Sequence, residues 1–212
     1  AIVTFRRLSL LGLLALLLPV AAAAQAPVAG SDYVVIEGGQ RWTPEPGTVE
    51  VVEVFAYACG HCDRFQPMLA AWARTAGDDV RVHYLPAAYD PGNAYARAYF
   101  ALEALGRVAE LHPRLFDAIH REGSLPARGA SVAEVATFLA GEGLDRSAVT
   151  AAMSAPATDE KMNAAREFAM RSGLQGTPTL IINGKYRVQG RSLGDSLRIA
   201  EGLIAMERAV PR

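Results

Sequence analysis

Cys59 and Cys62 enclose Gly60 and His61, and two thiols at this spacing can close a structural disulfide, hold a metal, or exchange disulfides with other molecules. What precedes and follows them decides between these chemistries. Thr48–Tyr57 (TVEVVEVFAY) is β-branched and aromatic and reads as a buried central strand. Behind the pair, Phe65, Met68, Leu69 and Trp72 recur at helical spacing, which predicts a helix beginning at or near Cys59, with Pro67 kinking it. At such a strand-to-helix junction the first-turn amides are unpaired and partly positive, so they stabilise a thiolate at Cys59. Cys62, one turn further in, faces the same side within bonding reach. Cys59 is then the exposed nucleophile and Cys62 the buried resolving thiol. His61 can give the Cys59 sulfur a hydrogen bond or a positive charge, lowering its pKa further.

The two other chemistries fare less well. A structural bridge closing so small a loop removes little chain entropy. A tetrahedral metal site needs two more ligands, and His83, His112 and His120 show no ligand spacing, so no metal is expected. Redox exchange is favoured. Glu53, six residues before Cys59, interrupts an otherwise apolar strand, where a bare carboxylate is costly unless used. It either serves the site, points out at the sheet edge, or is paired locally.

The elements that must position these residues are legible around them. Tyr33–Ile36 is a short strand candidate, and Val80–Leu85 alternates as the strand after the cysteine helix. From Asn93 to Arg171 the texture is alanine-rich and helical, broken at Gly106, Gly123–Pro126, Gly141–Gly143 and around Pro156. Ser131 with Glu134 makes a capping box, and Asp145 and Thr158 are read as later caps. Ser172-Gly173 ends the block. Thr179–Ile182 and Lys185–Val188 follow as strands joined by Asn183-Gly184, a type I′ signal, and Leu193–Ala209 closes as an amphipathic helix. The aromatics Trp42, Trp72, Tyr95, Tyr99 and Phe100 read as packing, His112 and His120 as solvated helix positions, and Asp78-Asp79 as a turn.

The 212 residues are 51% hydrophobic and 20% charged, enough for one folded core and too apolar for disorder. A net charge of −1 gives no footprint for nucleic acid, and two cysteines cannot staple a scaffold of this size. The chain opens with Arg6-Arg7, an apolar run Leu8–Val20 and Ala21–Ala24, the pattern of a secretory signal peptide cleaved after Ala24. The run is shorter than the roughly 20 residues a membrane anchor needs. Removing residues 1–24 takes away two arginines and no acid, moving the net charge from −1 to −3. Export places the thiols in an oxidising space.

Phe55-Ala56-Tyr57-Ala58-Cys59-Gly60-His61-Cys62, the helical block, and Gly176-Thr177-Pro178-Thr179 with Asn183-Gly184-Lys185-Tyr186 resemble the DsbA family of periplasmic thiol:disulfide oxidoreductases. The resemblance covers essentially the whole chain after residue 24. It implies an α/β thioredoxin fold with an inserted all-helical domain: residues 25–92 and 173–212 form the two parts of the fold, and 93–172 the insertion. It implies a cis bond before Pro178, set against the cysteine pair, so that Gly60, Thr177 and Pro178 face the substrate and Thr177's backbone can take an extended peptide. It gives Glu53 the role of a buried acid that takes or returns the Cys62 proton. The implied activity is oxidation of reduced, newly exported proteins by a periplasmic monomer, reoxidised by a DsbB-like membrane quinone reductase, with no organic cofactor. Gly60 departs from the proline common at that position and matches the CGHC of protein disulfide isomerases. That keeps an isomerase or reductase as the alternative, although such a protein would commonly add a dimerisation domain.

Overall fold

Each β-branched run becomes a strand of one five-stranded sheet. In this computed structural model, which describes residues 26–210, the strands are β1 (Tyr33–Val35), β2 (Val49–Phe55), β3 (Val80–Pro86), β4 (Thr179–Ile182) and β5 (Tyr186–Val188). The expected signal peptide, residues 1–24, lies outside the described residues. The sheet order is β1-β5-β4-β2-β3. β2 runs parallel to β3 and antiparallel to β4, so the strand leading to the cysteines lies between two partners. The parallel pair requires a crossover, which α1 (Gly60–Ala73) supplies.

Both faces of the sheet are covered, which explains why β2 reads as a continuous apolar run and is buried at every position. Val49, Val51, Leu180 and Ile182 pack against Phe65 and Leu69 of α1 and against Ile199 and Leu203 of α7 (Leu193–Ala209). Val52, Val54 and Ile181 belong to a second core, filled from the helical segment by Leu102, Leu115, Leu139 and Phe168. That segment comprises α2 (Ala94–Ala104), α3 (Val108–His120), α4 (Val132–Gly141), α5 (Arg146–Met153) and α6 (Pro156–Arg171). Strands from before and after it share one sheet, the thioredoxin fold with a helical insertion. Pro67 lies within α1 without ending it.

Most helix starts follow their cap residues. Ser131 and Glu134 form the full capping box of α4, and Asp145 accepts the Ala148 amide at 2.7 Å to start α5. α6 departs from the expectation at Thr158. It begins at Pro156, whose fixed φ and missing N–H suit a first helical position, and the Thr158 hydroxyl instead donates to the Ala152 carbonyl at 2.7 Å. The histidines of α3 are the larger correction. His112 is only 2% exposed and His120 half-buried. They share one face of α3 with buried Phe116 and turn inward, while Arg114 faces outward to pair with Glu142 at 2.9 Å and Glu122 at 2.7 Å.

The expected hairpin is present: Asn183 (φ 51°) and Gly184 (φ 65°) are both left-handed, as a type I′ turn demands. Any side chain on Gly184 would collide with the Gln40 carbonyl. Asn183 also ties the turn to β2. Its Oδ1 accepts the Glu50 amide at 2.8 Å, and its Nδ2 donates to Glu207 at 2.6 Å. Replacing Asn183 with Ala strands the buried Glu50 amide and puts a Cβ residue at a left-handed position without a compensating side chain. Urea unfolding should show a loss of about 2–3 kcal/mol.

Candidate active site

β2 ends at Phe55, and four residues later the chain turns into α1 with Cys59 as its N-cap. The cap is a sulfur: Cys59 Sγ accepts the Cys62 amide at 3.4 Å, where a serine or aspartate oxygen would ordinarily sit. Cys59 is partly exposed and Cys62 fully buried, and both are unbonded thiols. Partial burial pushes the Cys59 thiol up. Hydrogen bonds from the Thr177 side chain, the Cys62 thiol and amide, and the His61 amide outweigh it and hold the Cys59 thiol below the ordinary cysteine value. Burial drives the Cys62 thiol far above that value. One thiol of the pair is therefore easily ionised and reachable, and the other is neither.

The loop before β4 closes over this pair. The Thr177–Pro178 bond is cis, and the Thr177 carbonyl oxygen lies 3.3 Å from Cys59 Sγ as its acceptor. Thr177 and Pro178 thus stand beside the sulfur with Thr177 partly open to solvent. The imidazole of His61 is exposed, and the contribution of this residue to the sulfur comes from its backbone. Gly60 has open space around it: a Cβ there would meet nothing closer than Arg64 Nη1 at 3.9 Å. Packing does not impose glycine at this position. Among the described residues, no three His, Cys, Asp or Glu side chains converge as a metal site.

Glu53 is 1% exposed in β2, and neither carboxylate oxygen has a hydrogen-bond partner. Burial, reinforced by repulsion from Cys59, pushes its carboxyl up to about 8. It also acts electrostatically on Tyr57, Tyr84 and Tyr99. The sheet-edge and locally paired alternatives for Glu53 are absent: β2 is an inner strand, and the carboxyl group is bare.

A profile of the DSBA-like thioredoxin domain matches residues 91–199, the helical segment and the hairpin that follows it. The thiol:disulfide interchange protein DsbA of Pseudomonas aeruginosa is 34% identical over 98% of this chain and 99% of its own length. That of Azotobacter vinelandii is 36% identical over 78% of each chain. The crystal structure of the oxidoreductase DsbA from Xylella fastidiosa superposes with a TM-score of 0.84 at 38% identity, covering 88% of this chain and all of that one. This chain belongs to the DsbA family. It is a thiol:disulfide oxidoreductase.

Within the DsbA framework, one feature beside the cysteines escaped the sequence reading. Tyr57, two residues before Cys59, is held by α3 at both ends: its hydroxyl lies 2.8 Å from His112 Nδ1 and its carbonyl 2.7 Å from His120 Nε2. The available signal was the i, i+4, i+8 spacing of His112, Phe116 and His120, which puts both histidines on the stripe of a core aromatic. Burial alone pushes His112 down to about 3, so its ring is neutral.

The raised Glu53 pKa makes a signed prediction for the reduced protein. The carboxyl is protonated in the fold at pH values where the unfolded chain has released its proton, so stability falls as pH rises from the ordinary glutamate range to about 8. Glu53→Gln lacks this dependence. Its stability advantage over the unsubstituted protein should be small near the ordinary glutamate pKa and grow by about 1.4 kcal/mol per pH unit until the folded-state pKa is passed. Urea titrations across that range read the slope, and a constant difference between the two proteins would refute the assignment.

Proposed function

We propose that this protein donates its Cys59–Cys62 disulfide to reduced, newly exported proteins in the periplasm and is reoxidised by a DsbB-like membrane quinone reductase. The observation that carries this reading is the pairing of an accessible, acid-shifted Cys59 with a buried, base-shifted Cys62 across one turn of α1. In the oxidised protein a client thiolate attacks Cys59 Sγ, and the sulfur–sulfur electron pair leaves on Cys62. A second client thiolate then attacks the client sulfur of the mixed disulfide, forming the client disulfide and expelling Cys59 as a stabilised thiolate. Two electrons pass from client to enzyme, and the quinone reductase removes them again. Cys62 leaves as a high-pKa thiolate and needs a proton. Glu53, protonated near neutrality and within electrostatic reach of Cys59, is read as the group that supplies it and later recovers it.

Thr177 and Pro178 give the client its approach, since Thr177 stands against Cys59 with its side chain and carbonyl at the sulfur. The leader read in residues 1–24 supports export, with residues 25–92 and 173–212 carrying the redox fold and 93–172 inserted between them. No helix among the described residues is long and apolar enough to cross a membrane, and the reading is of a monomer acting on protein clients. The alternative, an isomerase or reductase, draws on Gly60, which lies between the two cysteines and whose surroundings would accept a Cβ.

A depressed Cys59 pKa stabilises the reduced form above that pKa, and the benefit is lost as pH falls through it. At neutral pH the reduced protein should therefore unfold at higher denaturant than the oxidised one. Equilibration with glutathione should give a potential toward the oxidising end of the superfamily, and Cys59→Ser should abolish oxidation of a reduced client. Equal or reversed unfolding midpoints, or a thioredoxin-like reducing potential, would transfer the function to the isomerase or reductase.

A further inference from the structure

Three contacts join α3 to the segment that carries the cysteines. His112 and His120 hold the hydroxyl and the carbonyl of Tyr57, and Arg121, just beyond α3, pairs with Asp63 of α1 at 3.1 Å. The Tyr57 ring is 2% exposed and packs edge-on or tilted against Phe55, Tyr95, His112 and Phe116. A carbonyl accepts only from a ring nitrogen that bears a proton, so His120 donates from Nε2 whatever its charge. Holding that oxygen fixes the plane of the Tyr57–Ala58 peptide, because the amide is rigid about its C–N bond. The plane in turn sets the path through Ala58 to Cys59, whose own amide donates back to the Ala56 carbonyl at 3.0 Å.

The sulfur has little slack. Its contact with the Cys62 amide, the one that favours the thiolate, spans 3.4 Å, and a small rotation of the loop would lengthen it. Arg121 acts on the same spot through charge. Asp63 sits in the first turn of α1, one residue after Cys62, where an unpaired carboxylate would oppose ionisation of the thiol.

We propose that His120 and His112 are positioning residues for Cys59: α3 of the helical insertion grips Tyr57 at its carbonyl and hydroxyl and so holds the cysteine loop in register with the first turn of α1. The inference rests on Cys59 being the reactive sulfur. It gives the insertion a part in the redox chemistry as well as in the core.

The test uses the full chain after residue 24, with His120→Leu, which removes the donor, and His120→Gln, whose amide restores one. Two readouts are taken on each: the Cys59 titration followed by thiolate ultraviolet absorbance, and the equilibrium constant with glutathione. Loss of one hydrogen bond should move the Leu variant's titration to higher pH and its glutathione constant about threefold to tenfold toward a weaker oxidant, and Gln should return both most of the way. A Leu variant with the far-ultraviolet dichroism of the unsubstituted protein and unchanged titration and equilibrium would overturn the proposal. Should Leu fail to fold, Tyr57→Phe, which loses only the hydroxyl end of the grip, should shift both readouts in the same direction, and unchanged values there would equally overturn it. An unsubstituted protein whose Cys59 titrates as an ordinary thiol would instead overturn the reading of Cys59 itself, leaving the two failures distinct.

Discussion

A sulfur in the N-cap position of a helix is the constraint that the rest of this molecule serves. Sulfur is a weak acceptor as a thiol and a good one as an anion, so a cap at Cys59 is best satisfied when the proton has gone. The cap keeps its geometry only if the helix start stays fixed against the end of β2, and the Thr177 side chain adds its own hydrogen bond to the same sulfur only if its loop arrives from the far side of the sequence. The central position of β2, bonded to β3 and β4 and covered on both faces, meets the first demand. The antiparallel pairing of β4 with β2 meets the second, since it delivers the chain from Thr177 next to the strand that ends before Cys59.

β2 also shows how the same residue type is put to opposite uses three positions apart. Glu50 and Glu53 are each 1% exposed. Glu50 receives the Trp42 and Thr43 amides at 2.9 and 2.5 Å, and its charge is met by backbone that would otherwise lack partners. Glu53 receives no hydrogen bond from the described residues and lies within electrostatic reach of a thiol. One carboxylate is part of the architecture. The other has its carboxyl raised by burial and no partner among the described residues, which suits the proton-transfer role proposed for it.

The sequence carried the order of elements almost completely, because β-branched strands, the Asn183-Gly184 turn and the alanine-rich helices each have a local cause. The Leu193–Ala209 helix and the Thr179–Ile182 strand were legible to the residue. Glu53 could be singled out because a charge in an apolar run is a local anomaly, whereas Glu50 in the same run could not be told from it, its partners being supplied by a loop. The histidines of α3 were misread as solvated for a related reason. A polar residue on a helix gives no sign of its partner when that partner is a backbone carbonyl more than 60 residues away, as the Tyr57 carbonyl is from His120. The start of α6 was missed because Pro156 and Thr158 both make good first-turn residues, and only the tertiary contact of the Thr158 hydroxyl settles which one begins it.

α3 is fastened on its two sides by different physics. Inward, His112 sits neutral among Phe55, Tyr57, Tyr84, Tyr99 and Phe116, in a dry nest of ring edges and faces. Outward, Arg114 draws together Glu122 and Glu142, and Arg121, itself exposed, bridges Asp117 and the mostly buried Asp63. Ions in solution screen the second set and barely touch the first, since the Debye length is about 8 Å at physiological ionic strength and shorter above it. Changing salinity therefore loosens the helix from its outer side while the aromatic side keeps its grip. Of its three ties to the cysteine segment, the two made through Tyr57 therefore keep their hold as salt rises, and Arg121–Asp63 alone weakens.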